Sequence, residues 1–278
     1  MYGMKIYKEF DEKVISLNSV NKTLYIPLYG KSFVSQKGII LHDEKAQEIW
    51  GSQKFELKRK SKSKWLAYYM GMRCVVFDHW LRQQLEEHQD AMIIHIGCGL
   101  DSRNERVATN DHCWYDIDFP DVIEERKRYY QETNEYHMLK ADIRENDWID
   151  ALPQHKNVIV VMEGVSMYLK FNELKDLFNN ICDTFEHVSI LMDCYTTFGV
   201  KASKYKNTIN DVGVIHVYGI DNPRILEDKE LFFVQEHPMI PEYLMNELKG
   251  LEKFVFKKIY GGKLSQKIYR LYEYKKRR

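Results

Sequence analysis

The spacing of apolar positions divides the chain into three stretches. From Met1 to about His88 they recur at helical intervals. There DEKAQEIW predicts a short helix and SKWLAYYMGMRCVVFDHWLRQQLEEH a long one. In the long one Tyr69, Arg73, Phe77 and Trp80 follow steps of 4, 4 and 3, which sets an arginine on the apolar stripe. From about Ala91 to Cys194 the pattern switches to short runs rich in Val, Ile and aromatics: AMIIHIG, CWYDIDF, EYHMLKAD, NVIVVMEG and VSILMDCY. Helical segments such as DVIEERKRYYQE and NELKDLFNNICDTF separate them. This alternation predicts an α/β fold with a mostly parallel sheet covered on both faces. NVIVVM is apolar without alternation, as a central strand buried on both sides requires.

The third stretch is less regular. Thr196 to about Asp228 mixes Gly, Lys and Asn with short apolar pieces and reads as a lid or insertion. PEYLMNELKG reads as a helix closed by Gly250 at its C′ position. KFVFKKIYGGKLSQKIYRLYEYKK reads as two strands around a turn at Gly261-Gly262, a C-terminal hairpin giving the sheet an antiparallel edge. The expected organisation is one integrated domain. Residues 1–88 form an N-terminal helical cap, and 89–278 form the α/β core with a lid-like insertion at about 196–228.

Composition narrows the function classes. A 44% hydrophobic share in 278 residues is enough to bury a core. Lys+Arg and Asp+Glu both number 41, so no net charge draws nucleic acid from a distance. The terminal KKRR reads as a solvated chain end. Five cysteines, an odd count without C-x-x-C, argue against a disulfide framework or structural zinc and for a reducing compartment. MYGMKIYKEFDEK lacks the apolar centre of a signal peptide, and no apolar run approaches the ~20 residues that span a bilayer. The expectation is a cytoplasmic protein with no metal, no nucleic-acid partner and no membrane partner.

The chemistry concentrates at strand ends. In an open parallel sheet, ligands bind beyond the carboxyl ends of the strands where the order reverses. MIIHI ends in Gly97-Cys98-Gly99, where glycine lets the backbone turn sharply and approach a ligand. A dinucleotide fingerprint requires a third glycine, and Ser102 stands there. Asp118 follows Gly99 by 19 residues, the place of a carboxylate that holds ribose hydroxyls. Asp116 is the competing choice, and both can instead cap the next helix near Asp121. After the third strand, Asp142 and the backbone at Ile143 could read an adenine edge. After the fourth, Glu163 suits a ligand ammonium or caps a helix. Arg73 needs an anion, an internal Asp or Glu or a ligand carboxylate, unless its head snorkels to solvent. One common metabolite carries ribose, adenine, ammonium and carboxylate together: S-adenosylmethionine.

IIHIGCGLDSRNERV, WYDIDFPDVIEERKR and NVIVVMEGVSMYL resemble the leucine carboxyl methyltransferase-like family, which includes polyketide-type O-methyltransferases. Its pattern is a strand, G-x-G-L-D-T-R, a D-x-P segment and E-G-x-x-x-Y-L, with Ser102 here replacing threonine. TLYIPLYGKSF and GMRCVVFDHWL look like its N-terminal helical region, and the likeness runs from about Thr23 to Cys194. The resemblance implies a class I methyltransferase, Rossmann-like fold using S-adenosylmethionine, with S-adenosylhomocysteine as product. It places Gly97, Cys98 and Gly99 under the cofactor, Asp118 on the ribose, and Arg73 on the methionyl carboxylate. Glu163 falls near the methionyl part, and Lys31 matches a basic residue of the family's N-terminal helix. It implies an oxygen acceptor, mostly a carboxylate, of a small molecule or peptide. A carboxylate needs no base; for a hydroxyl, Tyr168, Tyr195 or His216 are the substrate-facing candidates, each also readable as ordinary packing or loop. The alternatives are an NAD-dependent oxidoreductase, which the missing third glycine disfavours, and a non-catalytic cofactor-binding module.

Overall fold

A computed structural model of the chain describes residues 21–54, 56–57, 59–107, 112–206, 217–262 and 267–276. The strands are β1 Met92–Ile96, β2 Trp114–Asp118, β3 Tyr136–Lys140, β4 Asn157–Met162, β5 His187–Tyr195, β6 Leu231–Glu236 and β7 Tyr269–Lys276. They form a seven-stranded sheet in the order β3-β2-β1-β4-β5-β7-β6. The first five pair in parallel, and β7 runs antiparallel to both β5 and β6. The order reverses between β1 and β4, so the tips of those strands flank the crevice where an open sheet receives ligands.

The α-helices are α1 Tyr25–Gln36, α2 Glu44–Ser52, α3 Lys64–Glu87, α4 Arg103–Val107, α5 Pro120–Arg126, α6 Asp147–Asp150, α7 Phe171–Thr184, α8 Thr197–Lys206, α9 Glu242–Met245 and α10 Gly250–Ile259. Local chemistry sets their starts. The Asp43 side chain accepts from the Ala46 N–H at 2.8 Å and caps α2. Pro120 opens α5, where its missing N–H costs nothing. Glu173 reaches back to the Lys170 N–H at 2.7 Å to close the first turn of α7.

The sheet is buried on both faces. Ile94, Ile96, Val160 and Met162 pack under Leu174, Leu177, Phe178 and Ile181 of α7. On the other face, Ile93, Ile159, Val161 and Leu191 meet Val76, Phe77, Trp80 and Leu81 of α3. That is why β4 reads as a continuous apolar run. The N-terminal helices therefore share a core with the sheet, and α3 carries Arg73 across it towards the strand tips.

The C-terminal third corrects the sequence reading. The antiparallel edge exists, but it is not a hairpin around Gly261-Gly262: its strands are β6 and β7, and α9 and α10 lie between them. KFVFKKIY is helical. Phe256 is buried and Glu252 turns to Lys37, Lys64 and Tyr68, while Leu251 and Phe254 stay exposed. Alternating Phe and Val mimicked a strand, whereas the inward positions Glu252, Phe256 and Tyr260 follow a step of four. The helix expected to end at Gly250 covers only Glu242–Met245, and Gly250, at φ +53°, opens α10. Within the segment expected as an insertion, α8 follows β5 and Gly219 bridges back to Tyr195; His216 lies outside the described residues. All five cysteines are free thiols. No helix among the described residues is long and apolar enough to cross a membrane.

Candidate active site

A cavity of about 650 Å³ opens over the carboxyl ends of the parallel strands. Gly97, Cys98 and Gly99 form its floor at the tip of β1. Gly97 and Gly99 have φ of +66° and +53°, left-handed values that disfavour a side chain. A Cβ on Gly97 would fall 2.2 Å from Val165 Cγ2, so the turns after β1 and β4 meet there through the missing side chain.

Asp118, at the end of β2, faces this floor. Its Oδ2 accepts from the Gly99 N–H and its Oδ1 from the Phe119 N–H, both at 2.8 Å. Two backbone donors leave a carboxylate, with about four acceptor positions, room for two neighbouring hydroxyls. Burial pushes the Asp118 carboxyl up to about 6, against the pull of those two N–H groups. Asp116, two residues earlier, belongs to the interior. It is fully buried among His95, Trp114, Tyr136 and Arg126, and its carboxyl, despite burial, is held down to about 2 by Arg126 and His95. The cavity has Asp118 on its wall and not Asp116.

A chain of buried charges lies beside the β1 and β4 tips. Arg73 gives Nε and Nη2 to Glu163 Oε1, at 3.0 and 2.9 Å, and Nη1 to Asp193 Oδ2 at 2.9 Å. Glu163 also pairs with Arg103 and stands 3.9 Å from Lys31 Nζ. Lys31 pairs with Asp101 at 2.8 Å. Burial alone would raise the Glu163 carboxyl, but Lys31, Arg73 and Arg103 hold it down to about 2. Arg103 also donates to Asp78 at 2.7 Å and stands 3.0 Å from His95 Nε2. Since a guanidinium only donates, that contact makes Nε2 the acceptor and leaves the His95 proton on Nδ1, facing Asp116. Cys74, Asp101 and Glu163 come close enough to suit a cation, but Lys31, Arg73, Arg103 and Arg106 already occupy the two carboxylates, and burial raises the Cys74 thiol and keeps it protonated.

The sequence-derived candidates Lys31, Arg73, Gly97, Cys98, Gly99, Asp118, Asp142, Ile143, Glu163, Tyr168 and Tyr195 all line this one cavity. Asp142 reaches it with its carboxylate engaged by Arg144, whose Nε donates at 2.8 Å, and that partner lowers its pKa. Arg73 satisfies the internal-pair reading, through Glu163 and Asp193, and still borders the cavity. Sequence reasoning missed Asp101, Arg103, Asp193 and Tyr269. Asp101 and Arg103 stand inside the quoted GCGLDSR motif and could have been marked as paired charges. Asp193 and Tyr269 carry no local signal and become neighbours only through the β5–β7 ladder. The far end of the cavity is aromatic. Tyr69 stacks on Tyr260 at 5.2 Å, and Tyr195 meets Tyr269 edge-on at 4.8 Å.

Comparison with known proteins agrees with this geometry. Residues 16–182 match the family model described as leucine carboxyl methyltransferase. The chain is 28% identical over 247 residues to the tetracenomycin polyketide synthesis O-methyltransferase TcmP of Streptomyces glaucescens, covering 87% of this chain and 92% of that protein. It is 25% identical over 240 residues to the S-adenosyl-L-methionine-dependent methyltransferase dpfgK of Gibberella zeae, covering 78% and 80%. Among solved structures, magnesium protoporphyrin IX methyltransferase from Synechocystis with bound S-adenosylhomocysteine superposes with a TM-score of 0.51 at 12% identity, covering 89% of this chain and 97% of that one. With its sheet order, its glycine turn and this match, the chain belongs to the leucine carboxyl methyltransferase family and has the fold of class I S-adenosylmethionine-dependent methyltransferases.

Proposed function

We propose that the protein is an S-adenosylmethionine-dependent O-methyltransferase whose acceptor is a carboxylate of a small molecule or peptide. The cofactor is S-adenosylmethionine, and the observation that carries this is the gathering of separate strand tips around one cavity. Gly97 and Gly99 give a floor free of side chains, and Asp118 has acceptor positions left for two ribose hydroxyls. Asp142 and Ile143 flank the adenine side, and Arg73 with Lys31 offers cations to the methionyl carboxylate. When bound, S-adenosylmethionine supplies a methyl group already activated on a sulfonium. Alignment of two reactants can account for ~7–11 kcal/mol of a barrier, and the walls of this cavity are suited to that task and to excluding water.

The acceptor end supports a carboxylate over an alcohol. Burial raises the phenol pKa of Tyr69, Tyr168 and Tyr260, so at neutral pH these hydroxyls hold their protons and can donate, while Tyr269 already donates to Asp193. His95 is desolvated, with its pKa lowered and both ring nitrogens engaged by Asp116 and Arg103. Such a wall solvates an acceptor that arrives ionised; it offers poor help to one that must lose a proton.

Three measurements test the reading. S-adenosylhomocysteine should bind with measurable heat and raise the melting temperature; absence of both removes the proposal. Labelled methyl transfer to a panel of carboxylic acids and phenols should then yield a base-labile product. A base-stable ether as the sole product would move the acceptor to a hydroxyl. Arg73→Ala should weaken S-adenosylhomocysteine at least about tenfold, since a buried carboxylate loses its charged partner.

A further inference from the structure

We infer that Asp193 is a positioning residue that joins the donor and acceptor ends of the cavity, its single carboxylate orienting Arg73 on one side and Tyr269 on the other. This rests on the reading that Arg73 receives the methionyl carboxylate. Asp193 sits near the carboxyl end of β5 and is fully buried. Its Oδ2 accepts from Arg73 Nη1 at 2.9 Å and from the Tyr269 hydroxyl at 3.0 Å. Its Oδ1 accepts from the Gly164 N–H at 2.7 Å, and its carbonyl oxygen accepts from the Ser166 hydroxyl. One side chain thus ties together α3, the turn after β4, and the first residue of β7.

The geometry makes the tie directional. Glu163 engages Nε and Nη2 of Arg73, and Asp193 engages Nη1, so the plane of the guanidinium is fixed from two sides. Glu163 alone would leave it free to turn about that contact. Tyr269 donates its proton to Asp193, so its hydroxyl is committed inward while its ring lies against Tyr195 and Tyr69 in the acceptor wall. Asp193 touches neither ligand itself, since it is not among the cavity-lining residues. Burial raises its carboxyl, helped by Glu163, and Arg73, the Gly164 N–H and the Tyr269 hydroxyl oppose that rise.

The test separates the two ends of the cofactor. S-adenosylhomocysteine carries the methionyl carboxylate, and 5′-methylthioadenosine lacks the whole amino-acid part. Both are titrated calorimetrically into the wild type, Asp193→Asn, Tyr269→Phe and the double variant. Asp193→Asn should weaken S-adenosylhomocysteine by about tenfold, the scale of a charge-assisted bond, and leave methylthioadenosine within about twofold. Tyr269→Phe should weaken S-adenosylhomocysteine by a smaller factor, and most of this effect should be lost in the Asp193→Asn background, the remainder coming from the direct contact of Arg73 Nη1 with the Tyr269 hydroxyl at 3.4 Å. Unchanged S-adenosylhomocysteine affinity in Asp193→Asn overturns the inference, as does an equal loss of both nucleosides, which marks general damage. Should Asp193→Asn not fold, Tyr269→Phe decides: weaker S-adenosylhomocysteine with unchanged methylthioadenosine supports the inference, and any other result overturns it. If neither nucleoside binds the wild type, the cofactor reading itself has failed.

Discussion

At the proposed donor end of the cavity, polar groups are tied down by backbone N–H donors or ion pairs; at the proposed acceptor end, rings lean on rings. Asp118 is fixed by Gly99 and Phe119, and Arg73 by Glu163 and Asp193. Tyr69, Tyr195, Tyr260 and Tyr269 come from α3, β5, the end of α10 and β7, and touch mainly through stacked or edge-on contacts. Charge-assisted bonds are shorter and stronger than neutral ones and add geometric specificity, as a cofactor with fixed groups demands. Aromatic contacts are worth roughly 0.5–1.5 kcal/mol each and tolerate exchange. On the proposed reading the donor end is specific to one ligand, and the acceptor end, apart from the Tyr269–Asp193 tie, can change its substrate with little effect on the cofactor.

The largest effect should come from the floor of the donor end. Gly97→Ala puts a Cβ against Val165 at a left-handed φ. Strain and overlap together should cost about 2–5 kcal/mol in denaturant unfolding, with S-adenosylhomocysteine binding lost. A variant with wild-type stability and binding would show that the close approach of the β1 and β4 turns is dispensable.

Next comes Asp118, where pH sharpens the contrast. Asp118→Asn should weaken S-adenosylhomocysteine by about tenfold, one charge-assisted bond being lost. In the wild type, affinity should rise between pH 5 and 7 and then level off, because the carboxyl ionises near 6. Stability without ligand should run the other way. A carboxyl whose folded pKa exceeds its unfolded value favours the folded state at low pH, and that contribution is lost as pH rises through about 6. Calorimetry and melting curves across this range should show opposite slopes, both flattened in Asp118→Asn; parallel slopes would contradict the assignment.

Smaller effects belong to the acceptor end. Tyr260→Ala removes the stacks on Tyr69 and Phe256, both at 5.2 Å. S-adenosylhomocysteine affinity should stay within about twofold while acceptor KM rises severalfold, given the modest worth of each ring pair. Equal damage to cofactor binding would mean that the two ends are not separable. The smallest change is expected from Glu252→Gln, which weakens the half-exposed pairs to Lys37 and Lys64 that pin α10 against α1 and α3. Unfolding should shift by less than about 1 kcal/mol.

How much of this was legible in the chain follows the same division. Gly97, Gly99, Asp118, Asp142 and Glu163 announce themselves because each stands at a fixed short distance from an apolar strand. Arg73 stood out as a charge on an apolar stripe. KFVFKKIY was misread as a strand because Phe and Val favour either element, and the packing of Phe256 and Tyr260 against α3 decided the matter. Asp193 and Tyr269 were invisible, since their meeting depends on the register of an antiparallel pair joined through α8, β6, α9 and α10.

The amino-acid sequence by itself determined the parallel α/β core, the glycine turn and the order of acids along the strand tips, because hydrophobic period and motif spacing are local properties. The tertiary structure alone decided which acid faces the cavity, what Arg73 pairs with and which tyrosines beyond Tyr168 and Tyr195 wall its far end. Those outcomes depend on burial and on contacts between residues up to about two hundred positions apart, such as Arg73 and Tyr269, and a linear pattern carries no record of such distances.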